Sequence, residues 1–124
     1  MTIIEQDIID LSHTIMADKR LVPVTFTPDE RKALAVALNL TASDQQREFP
    51  KYARALRKLA KDVSSTYTLQ EMWSVVVGVQ SAHRRMVGVQ RTLAVGVAWR
   101  LSDLIVTRSP GVKLDIEAGW GELA

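Results

Sequence analysis

The chain has 124 residues, enough for one domain with a real core. Apolar residues make up 47% and charged residues 24%, a composition that excludes both disorder and a fibrous repeat, and the lack of any cysteine excludes disulfides, thiolate metal sites and cysteine nucleophiles together. The formal net charge is only +2 but unevenly spread: residues 1–46 carry four bases and seven acids, residues 47–100 ten and three, and residues 101–124 two and four. A basic middle between acidic ends implies an anionic partner, or neutralisation by the acidic ends of the same or neighbouring chains.

The segment after Met1 carries Glu5, Asp7 and Asp10 and lacks the basic start of a secretory signal. Apolar runs at Val75–Val79 and Leu93–Trp99 are short and separated by Arg84, Arg85 and Arg91, so no membrane span is expected. These features predict a soluble chain, cytoplasmic when synthesised.

Thr2 to Ala17 reads as the first helix, with Thr2 and Glu5 as a capping pair and Ile4, Ile8, Leu11 and Ile15 at helical spacing. His13 follows Asp10 by one helical turn, an ordinary surface pair and too few ligands for a metal site. Asp18 to Phe26, with Pro23 among alternating apolar residues, predicts a connector or short extended edge segment. Thr27-Pro28-Asp29-Glu30 is the sharpest helix start in the chain and predicts a helix through Leu40 that buries Leu34, Ala37 and Leu38. Thr41-Ala42-Ser43-Asp44 then marks a boundary, with a short turn before Pro50.

From Lys51 to Val63 an amphipathic helix is expected. Tyr52, Leu56, Leu59 and Val63 form one stripe, while Lys51, Arg54, Lys58 and Lys61 form the opposite one. Such a row of bases suits phosphates, an anionic surface or an acidic protein face. Arg84 and Arg85 are candidates for a second anionic contact. No helix-turn-helix, zinc finger or aromatic stacking platform accompanies them, so any nucleic-acid contact would be to the backbone.

Thr68 to Val106 is the longest apolar-patterned segment and the expected main packing surface. Thr68 and Glu71 again form a capping pair. On a helix, Val75, Val79, Ala82, Met86, Val89, Leu93, Val97, Leu101 and Leu104 share one side, with Ser74, Gln80, Arg84, Arg91, Ser102 and Asp103 opposite. Alternation over Val87 to Ile105 also fits strands, but no turn signal divides that stretch. One long helix is expected, with a break possible near Gly88. Val-Gly-Val occurs at residues 77–79, 87–89 and 95–97, and Gly78 and Gly96 fall on the same side, where a second helix could approach closely. Val77, Val95 and Trp99 project towards the polar side, which points to contacts beyond the domain itself.

Ser109-Pro110-Gly111 is a turn signal, so a short β-hairpin or an extended C-terminal arm is expected after it. Trp120 lies between two glycines near the end, either folding back on its own core or anchoring in another subunit. The expected organisation is thus a mainly α small helical bundle over residues 1–108 and an arm over residues 109–124.

His13 and His83 lie in different segments, and no phosphate loop or nucleophile with its base is visible. The chain is therefore expected to be non-enzymatic, without cofactor or metal. In the order of its elements it resembles the small adaptor or connector proteins of tailed bacteriophages. The likeness is one of layout and carries no residue across. It implies a self-associating, ring-forming structural protein that docks on other subunits of a virus particle. The spacing and type of the residues themselves make Gly78, Gly96, Trp99 and Trp120 the interface candidates. The alternative is an oligomeric nucleic-acid-binding accessory protein that contacts phosphates through Lys51, Arg54, Lys58 and Lys61.

Overall fold

Thr27 and Thr68 start their helices in the same way. At the first, the Glu30 amide donates to Thr27 Oγ1 (3.1 Å) and the Thr27 amide donates to Glu30 Oε1 (2.8 Å). At the second, the Glu71 amide donates to Thr68 Oγ1 (3.2 Å) and the Thr68 amide to Glu71 Oε1 (2.9 Å). Each box satisfies two donors that a helix start leaves free, so both predicted starts hold.

The computed structural model describes residues 19–61 and 66–121. In chain order it contains strand β1 (Val22–Pro23), helix α1 (Pro28–Gln45), α2 (Pro50–Lys61), strand β2 (Thr66–Tyr67), α3 (Leu69–Ala82), a 3-10 turn at His83–Arg85, α4 (Gly88–Arg108), a 3-10 turn at Pro110–Val112, and α5 (Lys113–Ala118). The chain is a mainly α small helical bundle. The helix expected over Thr2–Ala17 and the Asp10–His13 pair lie outside the described residues, as does Val63.

α1 is the central element, packing on α2, α3 and α4. It runs past the boundary expected at Thr41, because Thr41 is buried and its Oγ1 donates to the Gly78 carbonyl at 2.6 Å. A tertiary partner thus takes up the hydroxyl that would otherwise favour a turn. The core joins Leu34, Leu38, Leu56, Met72, Val76 and Val79 to Val97, Leu101 and Ile105. Within the expected connector, an antiparallel pairing joins Val22 to Tyr67 and Pro23 to Thr66.

The single long helix expected from Thr68 to Val106 is two helices. Met86 and Val87 are extended, and Gly88 has φ 62°, a left-handed backbone that costs a side-chain-bearing residue about 1–2 kcal/mol. The joint resets the helical phase. Val89, expected on the apolar side, is 72% exposed, whereas Ala94, Val97, Ala98, Leu101, Ser102 and Ile105 are buried. Ser102 is accommodated because its Oγ donates to the Ala98 carbonyl at 2.7 Å.

The C-terminal expectation is also corrected. Ser109-Pro110-Gly111 does turn the chain, but it leads into α5 rather than a strand or an extended arm. Val112, Ile116 and Trp120 are buried at one-turn intervals against their own domain.

Candidate functional site

α2 presents two unlike sides. Ala53, Leu56 and Ala60 are buried, Tyr52 and Leu59 are half-buried, and Lys51, Arg54, Lys58 and Lys61 are all exposed. Among the described residues none of these four bases has an ion-pair or hydrogen-bond partner. Arg57, between them, is engaged with the Gln46 side chain. On the buried edge, the Tyr52 hydroxyl has no hydrogen-bond partner, and burial pushes its pKa up to about 12.

Arg84 and Arg85 do not extend that row. Arg85 pairs with Asp44, Nη1 reaching Oδ1 at 3.1 Å, and also donates to the Leu40 carbonyl at 3.2 Å. It pins the α3–α4 joint to the C-terminal end of α1. Arg84 faces the other way, towards the C-terminal segment, where a side chain at Gly121 would stand 3.1 Å from its Nη2.

Beside Arg84 the aromatic residues stack. Trp99 and Trp120 lie with ring centroids 5.1 Å apart and planes 16° apart, and His83 packs on the same Trp120 at 5.4 Å. Gln80 helps seat the C-terminal segment by donating from Nε2 to the Ile116 carbonyl at 2.9 Å. His83 Nδ1 and Trp120 Nε1 are buried without partners. Burial first, then the guanidinium charges of Arg91 and Arg84, hold the His83 pKa below its ordinary value, so the imidazole is neutral at pH 7. Trp120 thus serves its own core and is not available as an anchor in another subunit.

The two candidate glycines part company here. A Cβ at Gly78 would lie 2.7 Å from a Leu38 methyl, so the close helix approach expected at this residue is made within the chain, by α1. A Cβ at Gly96 would meet nothing within 4 Å. Gly96 instead floors an open hollow of about 360 Å³ with Arg91, Thr92, Val95 and Trp99. A second hollow of about 360 Å³ continues along α4, between Pro23–Thr25 and Arg100, Asp103 and Leu104.

This outer side of α4 is more apolar than a solvated helix face requires. Val87 is 83% exposed, Val89 72% and Trp99 39%. Phe49, 57% exposed, stands at the same end of the bundle as Val87, since Arg85 and Asp44 tie the two regions together. Arg100 is occupied, donating to the Thr25 carbonyl at 3.1 Å, pairing with Glu30 at 3.4 Å and covering the Phe26 ring.

Of the residues singled out in the sequence, the fold therefore groups Lys51, Arg54, Lys58 and Lys61 on α2 and Gly96 with Trp99 on α4, stacks the buried Trp120 on Trp99, and leaves Gly78, Arg84 and Arg85 outside both groups. Val87, Val89, Phe49 and Arg91 were missed. The first two follow from the phase reset at Gly88, which a search for one continuous period conceals. No group of His, Asp or Glu that could hold a metal occurs among the described residues. No helix among them is long and apolar enough to cross a membrane. No protein-family model, curated protein or solved structure matches the chain.

Proposed function

We propose that this chain is a non-enzymatic, self-associating structural or assembly protein whose subunit contact is made by the outer face of α4. The observation that carries the reading is the unfilled hollow over Gly96, bounded by the exposed Trp99 and continued by Val89. A glycine gap beside a large aromatic plate gives a second helix both room to approach and area to bury. A ring-forming adaptor or connector of a phage-like particle is the specific form that the layout suggests, with other protein subunits as further partners.

Light-scattering mass, measured against protein concentration at low and moderate salt, tests it. The expected result is an oligomer that persists in moderate salt and shifts towards monomer in Trp99→Lys without loss of helical signal. A chain that stays monomeric at all concentrations overturns the reading.

A second reading has its own support in the exposed, unpaired row Lys51, Arg54, Lys58 and Lys61: an accessory protein bound to phosphates. Binding to a mixed-sequence DNA duplex should then weaken steeply with salt, by a slope of about 0.9 in log K for each phosphate neutralised. Changing all four bases to Gln should abolish it. Absence of a salt-sensitive complex retires the row to a solvated face.

A further inference from the structure

We infer that the outer face of α4 pairs with the same face of a second copy of this chain, the two helices running antiparallel about a two-fold axis between Gly96 and Trp99. The inference rests on the self-association reading above and names the partner surface, its direction and its register.

The shape of the hollow points first to a helix. Thr92, Val95, Gly96 and Trp99 line it at positions i, i+3, i+4 and i+7, the four corners of the hole into which a neighbouring helix inserts one side chain. Gly96 adds depth, since a Cβ there would meet nothing within 4 Å. The same face carries a side chain to fill it. Trp99 stacks its ring on the buried Trp120 and stays 39% exposed, a large knob held in place before any partner arrives. Hole and knob on one surface make that surface self-complementary, which is what a two-fold contact requires.

Placing the Trp99 of each copy over the other's hole fixes the register, because the hole is centred between Val95 and Gly96. Asp103, one turn beyond the knob, then falls opposite Arg91 and Thr92, one turn before the hole's centre. The charged residues of α4 are Arg91, Arg100, Asp103 and Arg108. Arg100 is paired with Glu30, and Arg108 turns back to the Leu104 carbonyl, whereas Arg91 and Asp103 have no ion-pair partner among the described residues. The register set by shape is thus the one that brings the two uncommitted charges together, once on each side of the axis. A parallel pair in register would set Arg91 against Arg91 and Asp103 against Asp103, so charge selects the antiparallel direction. Pro23–Thr25 border the far end of the face, and Asp103 stays exposed beside them. Such a contact closes at two chains, so a larger ring adds a second surface to it.

The test uses the full chain carrying Thr92→Cys and Asp103→Cys. The native sequence has no cysteine, so these are its only thiols. Within one helix the two positions are about 16 Å apart, at a rise of about 1.5 Å per residue, and a disulfide needs Cα atoms within about 7 Å. Only an antiparallel partner brings them together. Oxidation should give a covalent dimer and nothing larger, and neither single variant should cross-link. A charge swap provides the second measurement. Asp103→Arg should raise the dimer dissociation constant about tenfold, through the loss of two exposed ion pairs. Adding Arg91→Asp to the same chain should restore it.

Cross-linking by either single variant, or a ladder of three and more chains from the double variant, would overturn the inference. So would an assembly that Trp99→Lys dissociates but that forms no disulfide between thiols open to a maleimide. These results would leave the self-association reading standing with a different partner surface on α4. A monomer by light scattering would remove both.

Discussion

Gly78 and Gly96 sit in the same tripeptide, Val-Gly-Val, and meet opposite surroundings. At Gly78 the place of the missing side chain is taken by methyls of Leu38 and Leu56, and the Thr41 hydroxyl reaches the glycine carbonyl at 2.6 Å. At Gly96 the same vacancy faces outward and meets nothing within 4 Å. A glycine's use is therefore a property of what crosses it. The identical tripeptide closes a core on α3 and leaves a surface open on α4. The paired tryptophans repeat the contrast, Trp120 being 1% exposed and Trp99 39% exposed although their rings stack.

The largest test of that contrast is to remove each ring in turn. Trp120→Ala should cost about 3–5 kcal/mol in denaturant unfolding, the usual loss for a buried large aromatic. Trp99→Ala should cost much less while lowering the assembled mass. Equal losses would mean that the outer tryptophan belongs to the core as fully as the inner one.

Next comes the glycine pair itself. Gly78→Ala should destabilise by about 1–3 kcal/mol, because the new methyl forces Leu38 out of place. A neutral result would show that Leu38 has room to rotate away.

A smaller effect is expected from His83, which joins the closed side through Trp120. Its folded-state pKa is lowered, so its contribution to stability is present above the ordinary value of 6.5 and is lost as pH falls towards the folded-state value. Melting temperature should drop between pH 7 and 5, and His83→Phe should flatten that part of the profile. An unchanged slope in the variant would assign the acid sensitivity to other groups, among them Glu30, whose carboxyl is held below its usual range chiefly by the Thr27 amide.

The smallest change is expected at the open glycine. Gly96→Ala should stabilise the chain by about 0.5–1 kcal/mol, since alanine fits an exposed helix interior better than glycine does. The same methyl should weaken assembly. Stabilisation without any loss of mass would place the subunit contact elsewhere.

Much of the helical organisation is legible in the sequence because it is local. Both capping boxes, the proline at the start of α1 and the opposed stripes of α2 are set by residues within one or two turns of each other. The features that are not legible depend on distant partners. Nothing near Thr41 announces that its hydroxyl will meet Gly78, so local signals place the end of α1 too early. Gly88 hints at a break, yet the consequence for Val89 and Ser102 requires the phase reset that its left-handed backbone imposes. Val112, Ile116 and Trp120 do carry a helical spacing, but the proline and glycine before them argue for a hairpin. Gly78 and Gly96 are indistinguishable in sequence, and only the position of α1 separates them.

The two-residue pairing of β1 with β2 bears on the order in which the chain folds. It brings together segments that enclose the whole of α1 and α2, and closing a loop of that length costs on the order of 3 kcal/mol in chain entropy before any contact offsets it. Two residue pairs supply too little to bear that alone. The helices must dock first and deliver the strands to each other, which makes the clasp the last contact to form and the first to fray. Amide exchange at Tyr67 should accordingly outpace that of Val76 and Val79 in the neighbouring α3.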